Sequence, residues 1–541
     1  MIMRKALLPV AVLAMGPLAQ ACVDLTEVPV SGITSQFYTT PPGFDAAVNA
    51  SYEGLRYFYG QQRGFGVTVF GTDEYTKGAD GGYKYINDYT PQLNGSDQYV
   101  RENWSLLWQA INVTNSVVTR SATVNLPDAV KTARVAEARF LRAIYYFDLV
   151  RMYGPLPLKL EETIDPTPPP TRDPVAKVYD AIIADLKFAE ANLPSKQSQY
   201  GRATKPAAQH MLALVYLTRA APGDMALAAT EAKAVIADPQ FGLLPRWGDN
   251  FTFGNEVNKE VVFSVQFTTD PLTTGSGNEG HLYFLQAYEL FPGMTRTTLY
   301  GRAFKRFRPT SYLLGLWDRS VDSRYDDGFQ NFWLANNAST IPKDASGNPK
   351  FALGDTAIWM PGYEVPAATI ASTRYTIVPP SKYSDAAFPP LNKFIDPARL
   401  SVNDTRGSRD FNVARLGETY LIAAEALFRD GKATEALSYV NTLRERAAKP
   451  GQTAAMDVTA ADLSIDFFLD ERARELAGEQ MRWFDLVRFG PQAFVDRVSK
   501  YNPAAKAGFD ASADKGLHFA LRPLPNTELL ASPALVQNPG Y

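Results

Sequence analysis

LGETYLIAAEALFRDGKATEALSYVNTLRERA, residues Leu416–Ala447, decides how the chain is read. Apolar residues recur at helical spacing on both sides of Gly431-Lys432, so two helices are joined by a tight turn. Ala424 lies twelve residues before Ala436, one small residue on each helix, and two helices cross closely only where side chains are small. A helix–turn–helix of this length, with small residues at that spacing, is the tetratricopeptide pattern of about 34 residues. Lys205–Ala220 and Met225–Ala237, joined by Ala221-Pro222-Gly223-Asp224, form a looser copy. The expectation is a mainly α chain: helix pairs in a superhelical stack, with a few short strands and a large irregular region folded against one side.

Working outward, Phe44–Phe58 and Asn103–Ala122 have helical spacing, and Val130–Tyr153 is apolar around most of its circumference. This last helix is therefore expected to be buried on more than one side and to stop at Gly154-Pro155. The linker DPTPPPTRDP (Asp165–Pro174) leads to a helix over Val175–Leu193, and EVVFSVQF (Glu260–Phe267) is the clearest strand. Gly60–Gly95, with six further glycines among tyrosines between its ends, reads as loop. From Thr268 to Arg409 the helical pattern dissolves into a stretch rich in Gly, Pro, Asn, Asp and Ser but also in aromatic residues. Irregular regions of that length are more often functional than idle.

The N-terminus carries an address. Met1–Lys5 is a short basic head, Ala6–Met15 is apolar but too short to span a bilayer, and Ala19-Gln20-Ala21 precedes Cys22, the only cysteine of 541 residues. Residues 1–21 read as a secretory signal. Ala19-x-Ala21 suits a general signal peptidase, whereas a lipoprotein peptidase wants an aliphatic residue where Ala19 stands; both cut before Cys22. A lipid on Cys22 explains why the sole thiol sits at the cut, and two or three acyl chains at about 0.8 kcal/mol per methylene make such anchoring stable. With no disulfide, the body must be held by its own core, which 45% apolar residues can supply. The formal charge is −3, and removing Arg4 and Lys5 with the leader leaves about −5, with no basic block. Nucleic acid is thus an unsuitable partner.

Catalytic signatures are absent from the sequence: no G-x-S-x-G, P-loop or dinucleotide fingerprint occurs, and His210, His281 and His518 are too scattered for zinc, with His281 read as a plain loop residue. No cofactor or metal is expected; DASADKG (Asp510–Gly516) misplaces its glycine for a calcium loop, so a bound calcium stays open. In ERARELAGEQMR, Glu471, Glu475 and Glu479 fall four apart on one helical face. A carboxylate cluster for acid–base work is weighed there against a structural ion network, and Arg474, Arg482 and the Asp485–Arg488 offset favour the network on a helix surface. The aromatic clusters are the better ligand candidates. Tyr83, Tyr85 and Tyr89 lie in the first loop, where the first two share a face if extended, and Asp73 and Glu74 before them offer acceptors for hydroxyls. Tyr283, Tyr288 and Tyr300, with Phe284, form a second cluster, and Trp317, Trp333, Trp359 and Tyr363 a third. Any single ring is more simply explained by packing under the loop; as a set the rings include the ligand platform.

Five ordered segments carry a family resemblance: RVAEARFLRAIYYFDLVRMYGPLPL (Arg134–Leu158), YGRATKPAAQHMLALVYL (Tyr200–Leu217), VARLGETYLIAAEAL (Val413–Leu427), ERARELAGEQMRWFDLVRFG (Glu471–Gly490) and LRPLPNTELLASPALVQNPGY (Leu521–Tyr541). With the start at Cys22, they resemble the signature segments of SusD/RagB outer-membrane lipoproteins. The resemblance implies a nutrient-binding protein facing outside the cell, lipid-anchored in the outer membrane through Cys22. It would be the lid of a TonB-dependent, SusC-like transporter barrel and take an oligosaccharide ahead of an oligopeptide. It further implies an N-terminal region over 22–258 and a C-terminal region over 259–541 in one compact body, without catalysis. The competing classes are an extracellular glycan hydrolase and a helical-repeat scaffold for proteins alone.

Overall fold

The computed structural model describes residues 37–164 and 170–541; the expected signal, Cys22 and the start of the proline-rich linker lie outside the described residues. The first α-helix among the described residues is α1 (Pro41–Glu53), capped by the Thr40 side chain. It continues through α2 (Gln62–Thr68), β1 (Tyr75–Lys77) and α3 (Lys84–Asp88) to the long α4 (Gln98–Arg120) and α5 (Asp128–Tyr153). From Ala136 onward every residue of α5 except Arg139 is buried, more completely than the burial on more than one side expected from its sequence, and Gly154 ends it at φ 73°. Then come α6 (Val175–Asn192), α7 (Lys205–Arg219) and α8 (Asp224–Ala237), with Ala220 and Gly223 both at positive φ in the turn between the last two.

These helices pack in chain order, α4 on α5, α5 on α6, α6 on α7 and α7 on α8. The next layer against α8 is α13 (Leu416–Arg429), about 180 residues further along the chain, which in turn packs on α14 (Ala433–Arg446). Ala424 and Ala436 are both fully buried, so the small residues sit where the two helices must pack. The stack is thus continuous in space and interrupted in sequence.

The interruption is closed at its base. β2 (Val261–Val265) pairs antiparallel with β7 (Phe411–Arg415), and Asn278 bridges Gly407 just inside. Between them the chain holds four short helices, α9 (Gly280–Tyr283), α10 (Ser311–Leu314), α11 (Arg324–Gly328) and α12 (Ala367–Ser372). It also holds β3 (Phe307–Pro309), which pairs with β1, and a three-stranded sheet in the order β4 (Phe332–Leu334), β5 (Thr356–Trp359), β6 (Thr376–Ile377). This sheet covers its own small core, which includes Tyr288, Met294, Trp333, Ile358 and Val378. Helical pattern fails here because each element is too short to show a period.

After α14 the chain runs through α15 (Thr453–Met456), α16 (Ile465–Leu476), α17 (Arg482–Val487), α18 (Pro491–Tyr501), α19 (Pro503–Ala511) and α20 (Asn526–Ala531). The carboxylates Glu471 and Glu475 lie on α16, but Gly478 at φ 80° breaks the helix, so Glu479 is not on the same helical face. All three are structural, as the ion-network reading holds, yet buried instead of surface-exposed. Glu471 meets Arg324, Arg444 and Arg474 at 2.7–2.8 Å; Glu475 meets Arg415 and Arg446 at 2.7 Å; Glu479 meets Arg415 at 2.8 Å and Lys393 at 2.7 Å. Burial alone would raise the Glu475 carboxyl, but the surrounding arginines hold it down at about 2. Because Arg324 and Lys393 come from the irregular region, this network fastens that region to the helical stack. Arg482 does not pair with Glu479; it turns to Asp73.

Gly60–Gly95 is not simply loop, since it contains α2, β1 and α3. Its glycines are packing positions as much as turns: a Cβ on Gly64 would stand 2.1 Å from the Phe58 carbonyl oxygen, and one on Gly66 would stand 2.7 Å from the Tyr99 ring.

Candidate functional site

The sheet of the irregular region sorts its aromatics by strand alternation. In β4, Trp333 points into the small core and is 1% exposed, while its neighbours Phe332 and Leu334 face outward at 51% and 48%. Phe332 pairs across the ladder with Trp359 of β5, and the two rings lie nearly parallel, 9° between planes and 6.0 Å between centroids. Tyr363, 56% exposed, stands edge-on to Trp359 at 6.1 Å and 82°. The turn from Trp359 to Tyr363 passes through Gly362 at φ 76°, where a Cβ would collide with the Arg319 guanidinium. Arg319 itself is fixed by the Pro361 carbonyl and by Asp326. Two parallel rings, a third at right angles and a leucine form an apolar platform in which Phe332, Leu334 and Tyr363 are exposed and Trp359 is half-buried; Glu364 follows Tyr363 and accepts both Ser381 hydrogens at 2.7 Å. Tyr300, half-buried, supports the platform from below: its hydroxyl accepts the Leu334 N–H at 2.9 Å.

Of the residues predicted from sequence, Trp359 and Tyr363 therefore reach the surface together. Tyr300 lies beneath them, and the others do not join them. Asp73 and Glu74 are fully buried: Asp73 accepts from Arg482 Nε at 2.7 Å and from Arg497 Nε at 3.0 Å, which leaves nothing for a hydroxyl ligand. Burial opposes its ionisation, and the two arginines outweigh it, holding the carboxyl below its ordinary value; Glu74, buried with less compensation from Arg482, is pushed up to about 8. Tyr83 and Tyr85 are not extended. Tyr83 caps α3 in a left-handed conformation and stacks on Tyr99 at 4.2 Å, and Tyr85 donates to Asp97. Tyr89 is buried among Phe494, Phe509 and Phe519. Tyr283 and Tyr288 are core residues whose hydroxyls donate to Glu279 and to the Gly301 carbonyl. Trp317 packs on Tyr325 and Phe329. His281 is not a plain loop residue: it lies on α9, 2% exposed, with Nε2 3.0 Å from the Thr405 carbonyl oxygen. Phe332 was missed because NFWLA offers two adjacent rings, and only the strand register decides which one faces out.

A helical-repeat stack that presents an aromatic platform on a long, tightly fastened excursion has the architecture of a binding protein. Comparison with known proteins agrees. The model of the SusD family matches residues 321–541, and a model described as starch-binding associating with outer membrane matches residues 66–217. The chain belongs to the SusD/RagB family. It is similar to SusD-like protein P2 of Formosa agariphila, 28% identical over 96% of this chain and 97% of that protein. It is also similar to the starch-binding protein SusD of Bacteroides thetaiotaomicron, 24% identical over 84% and 82%. Among solved structures, a laminarin-binding SusD-like protein superposes with a TM-score of 0.68 at 23% identity, covering 93% of this chain and all of that one, which fixes the fold.

Proposed function

We infer that the protein is a cell-surface glycan-binding protein of the outer membrane, without catalytic activity, and that Phe332, Trp359 and Tyr363 are its ligand platform. The observation that carries the reading is the pair of parallel rings on β4 and β5, Phe332 exposed and Trp359 half-buried at the surface. Flat rings match the apolar faces of sugar rings, each contact is modest, and several side by side yield a useful affinity. The printed names of the relatives, one starch-binding and one laminarin-binding, support glycan over peptide. A retaining glycosidase needs two carboxyl groups about 5–5.5 Å apart across the bond it cuts; the carboxylate next to the platform in the chain, Glu364, is occupied by Ser381, which favours binding over hydrolysis.

Native-gel retardation in laminarin and in soluble starch tests the platform. Trp359→Ala is expected to weaken retardation about tenfold to a hundredfold, or about 1.4–2.8 kcal/mol, with the melting temperature unchanged. Equal retardation of Trp359→Ala and the native protein, or release of sugar products on incubation, refutes the reading. The lipid anchor on Cys22 and the role as lid of a TonB-dependent transporter belong to the same proposal. Cys22→Ala should release the protein from the outer membrane, and pull-down of the native lipoprotein should bring a TonB-dependent barrel with it; a barrel that never accompanies it excludes the lid.

A further inference from the structure

A second pocket lies on the helical side of the molecule, built from residues that share nothing with the platform. It has a volume of about 430 Å³ and sits between the end of α1, the loop at 199–202 and the last residues of β2. Its frame is rigid. Glu137, 1% exposed, accepts from Tyr52 at 2.6 Å and from Arg202 at 2.7 Å, and the Tyr52 hydroxyl in turn accepts the Ala203 N–H at 2.9 Å. Gly201, at φ 85°, lets the loop lie directly on Gln266, where a Cβ would stand 2.5 Å from its side chain. Arg56 is pinned by the carbonyls of Gln266 and Thr273.

The hydrogen-bonding groups left over converge on this space. Asn49 and Gln199 each use their oxygen to accept from Arg202, leaving both amide nitrogens uncommitted. Arg56 spends Nε and Nη1 and keeps Nη2. Gln266 donates to Ser264 and keeps its oxygen as an acceptor. Charge is balanced, since Glu137 faces Arg202 and Glu53 faces Arg56 at 3.3 Å. One wall is the ring of Tyr200, 42% exposed and fixed by its hydroxyl on the Glu256 carbonyl. The same ring also borders a neighbouring trough of about 530 Å³ along β2. Uncommitted donors and an acceptor around a neutral space, beside one aromatic face, match vicinal hydroxyl groups, each of which donates and accepts. The volume falls within the range of about 300–1,000 Å³ usual for small-ligand sites.

We propose that this pocket is a second ligand site, taking one neutral sugar unit against Tyr200, with Asn49, Gln199, Arg56 and Gln266 reading its hydroxyls. It goes beyond the platform and works without it. Saturation-transfer NMR with glucose, galactose, mannose and glucuronic acid, each as the free monosaccharide, tests it on the native protein and on three variants. At least one neutral hexose should give a signal with the native protein and with Trp359→Ala, and that signal should vanish in Tyr200→Ala and in Gln199→Ala. Both positions are exposed, so the fold should survive, as a circular dichroism melt checks. The proposal is overturned if no neutral hexose gives a signal, if the signal survives both pocket variants, or if glucuronic acid alone binds. Loss in Trp359→Ala with retention in Tyr200→Ala also overturns it, while polysaccharide retardation reports on the platform separately.

Discussion

Replacing Asp73 by Asn asks whether that carboxylate is scaffold or ligand contact. The side chain is fully buried and accepts from both Arg482 and Arg497, two residues more than 400 positions away in the chain. The amide keeps the shape but removes the charge, leaving Arg482 with the Leu469 carbonyl, the Tyr312 hydroxyl at 3.4 Å and a 3.5 Å contact to Glu74. Breaking a buried pair from one side costs about 3–5 kcal/mol. At an unfolding entropy of about 2.1 cal/mol/K per residue, a chain of 541 residues changes by about 1.1 kcal/mol per degree, so the melting temperature should fall by roughly 3–5 °C. Differential scanning calorimetry at neutral pH reads this directly. The sign of the pH dependence follows from the depressed carboxyl. Its contribution is complete above the ordinary value of 3.8 and is lost as pH falls through the lower folded value, so native and variant melts should converge in acid. An unchanged melting temperature together with lost polysaccharide retardation would refute the placement of Asp73 in the core.

Glu74→Gln should behave in the opposite sense. The native carboxyl, pushed up to about 8, keeps its proton when folded while the unfolded chain loses it near 4.5, so native stability falls as pH rises from 4.5 to 8 and the variant's falls less, by calorimetry at stepped pH. Tyr288→Phe, which removes a buried hydroxyl bonded to the Gly301 carbonyl and the Thr297 N–H, should cost about 1–3 kcal/mol in urea unfolding and leave glycan retardation unaltered. Gly508→Ala would put a Cβ 1.9 Å from the Asp88 carbonyl oxygen, a backbone atom that cannot step aside, and should lower stability by about 1–3 kcal/mol in the same assay.

Much of the helical stack was legible because long helices repeat their pattern often enough to show it. Val130–Tyr153 reads as buried on more than one side and stops at Gly154, and the pair at 205–237 turns where Pro222-Gly223 says it should. Glycine misled at Gly64 and Gly66, because close packing and turn formation leave the same letter in the sequence. The ion network was legible only along its own helix. Arg474 three residues after Glu471 could be read, but Arg324, Arg415 and Arg446 arrive from other elements and carry no local spacing. For the proposed platform, composition pointed to the irregular region that carries it and could not separate Trp359, on the outward face, from Trp317, Trp333 and Tyr288, inside it. That separation depends on register, which in strands of three or four residues no alternation can announce.

The short β2–β7 ladder has a consequence for the order in which the chain can fold. Its strands close a segment of roughly 145 residues, a loop-closure cost of about 4 kcal/mol that must be met before the segment's own contacts repay it. During synthesis the first half of the stack can form early, but its last open layer, α8, waits for α13 to emerge. Both ends of the excursion meet at one place, but its contents are tied to the stack: Arg324 and Lys393 reach from it to Glu471, Glu475 and Glu479, and Phe284 and Phe307 lie in the main core. A graft that swaps the chain between Asn278 and Gly407 for a shorter closed segment should therefore unfold the stack, because it strips Glu471, Glu475 and Glu479 of Arg324 and Lys393.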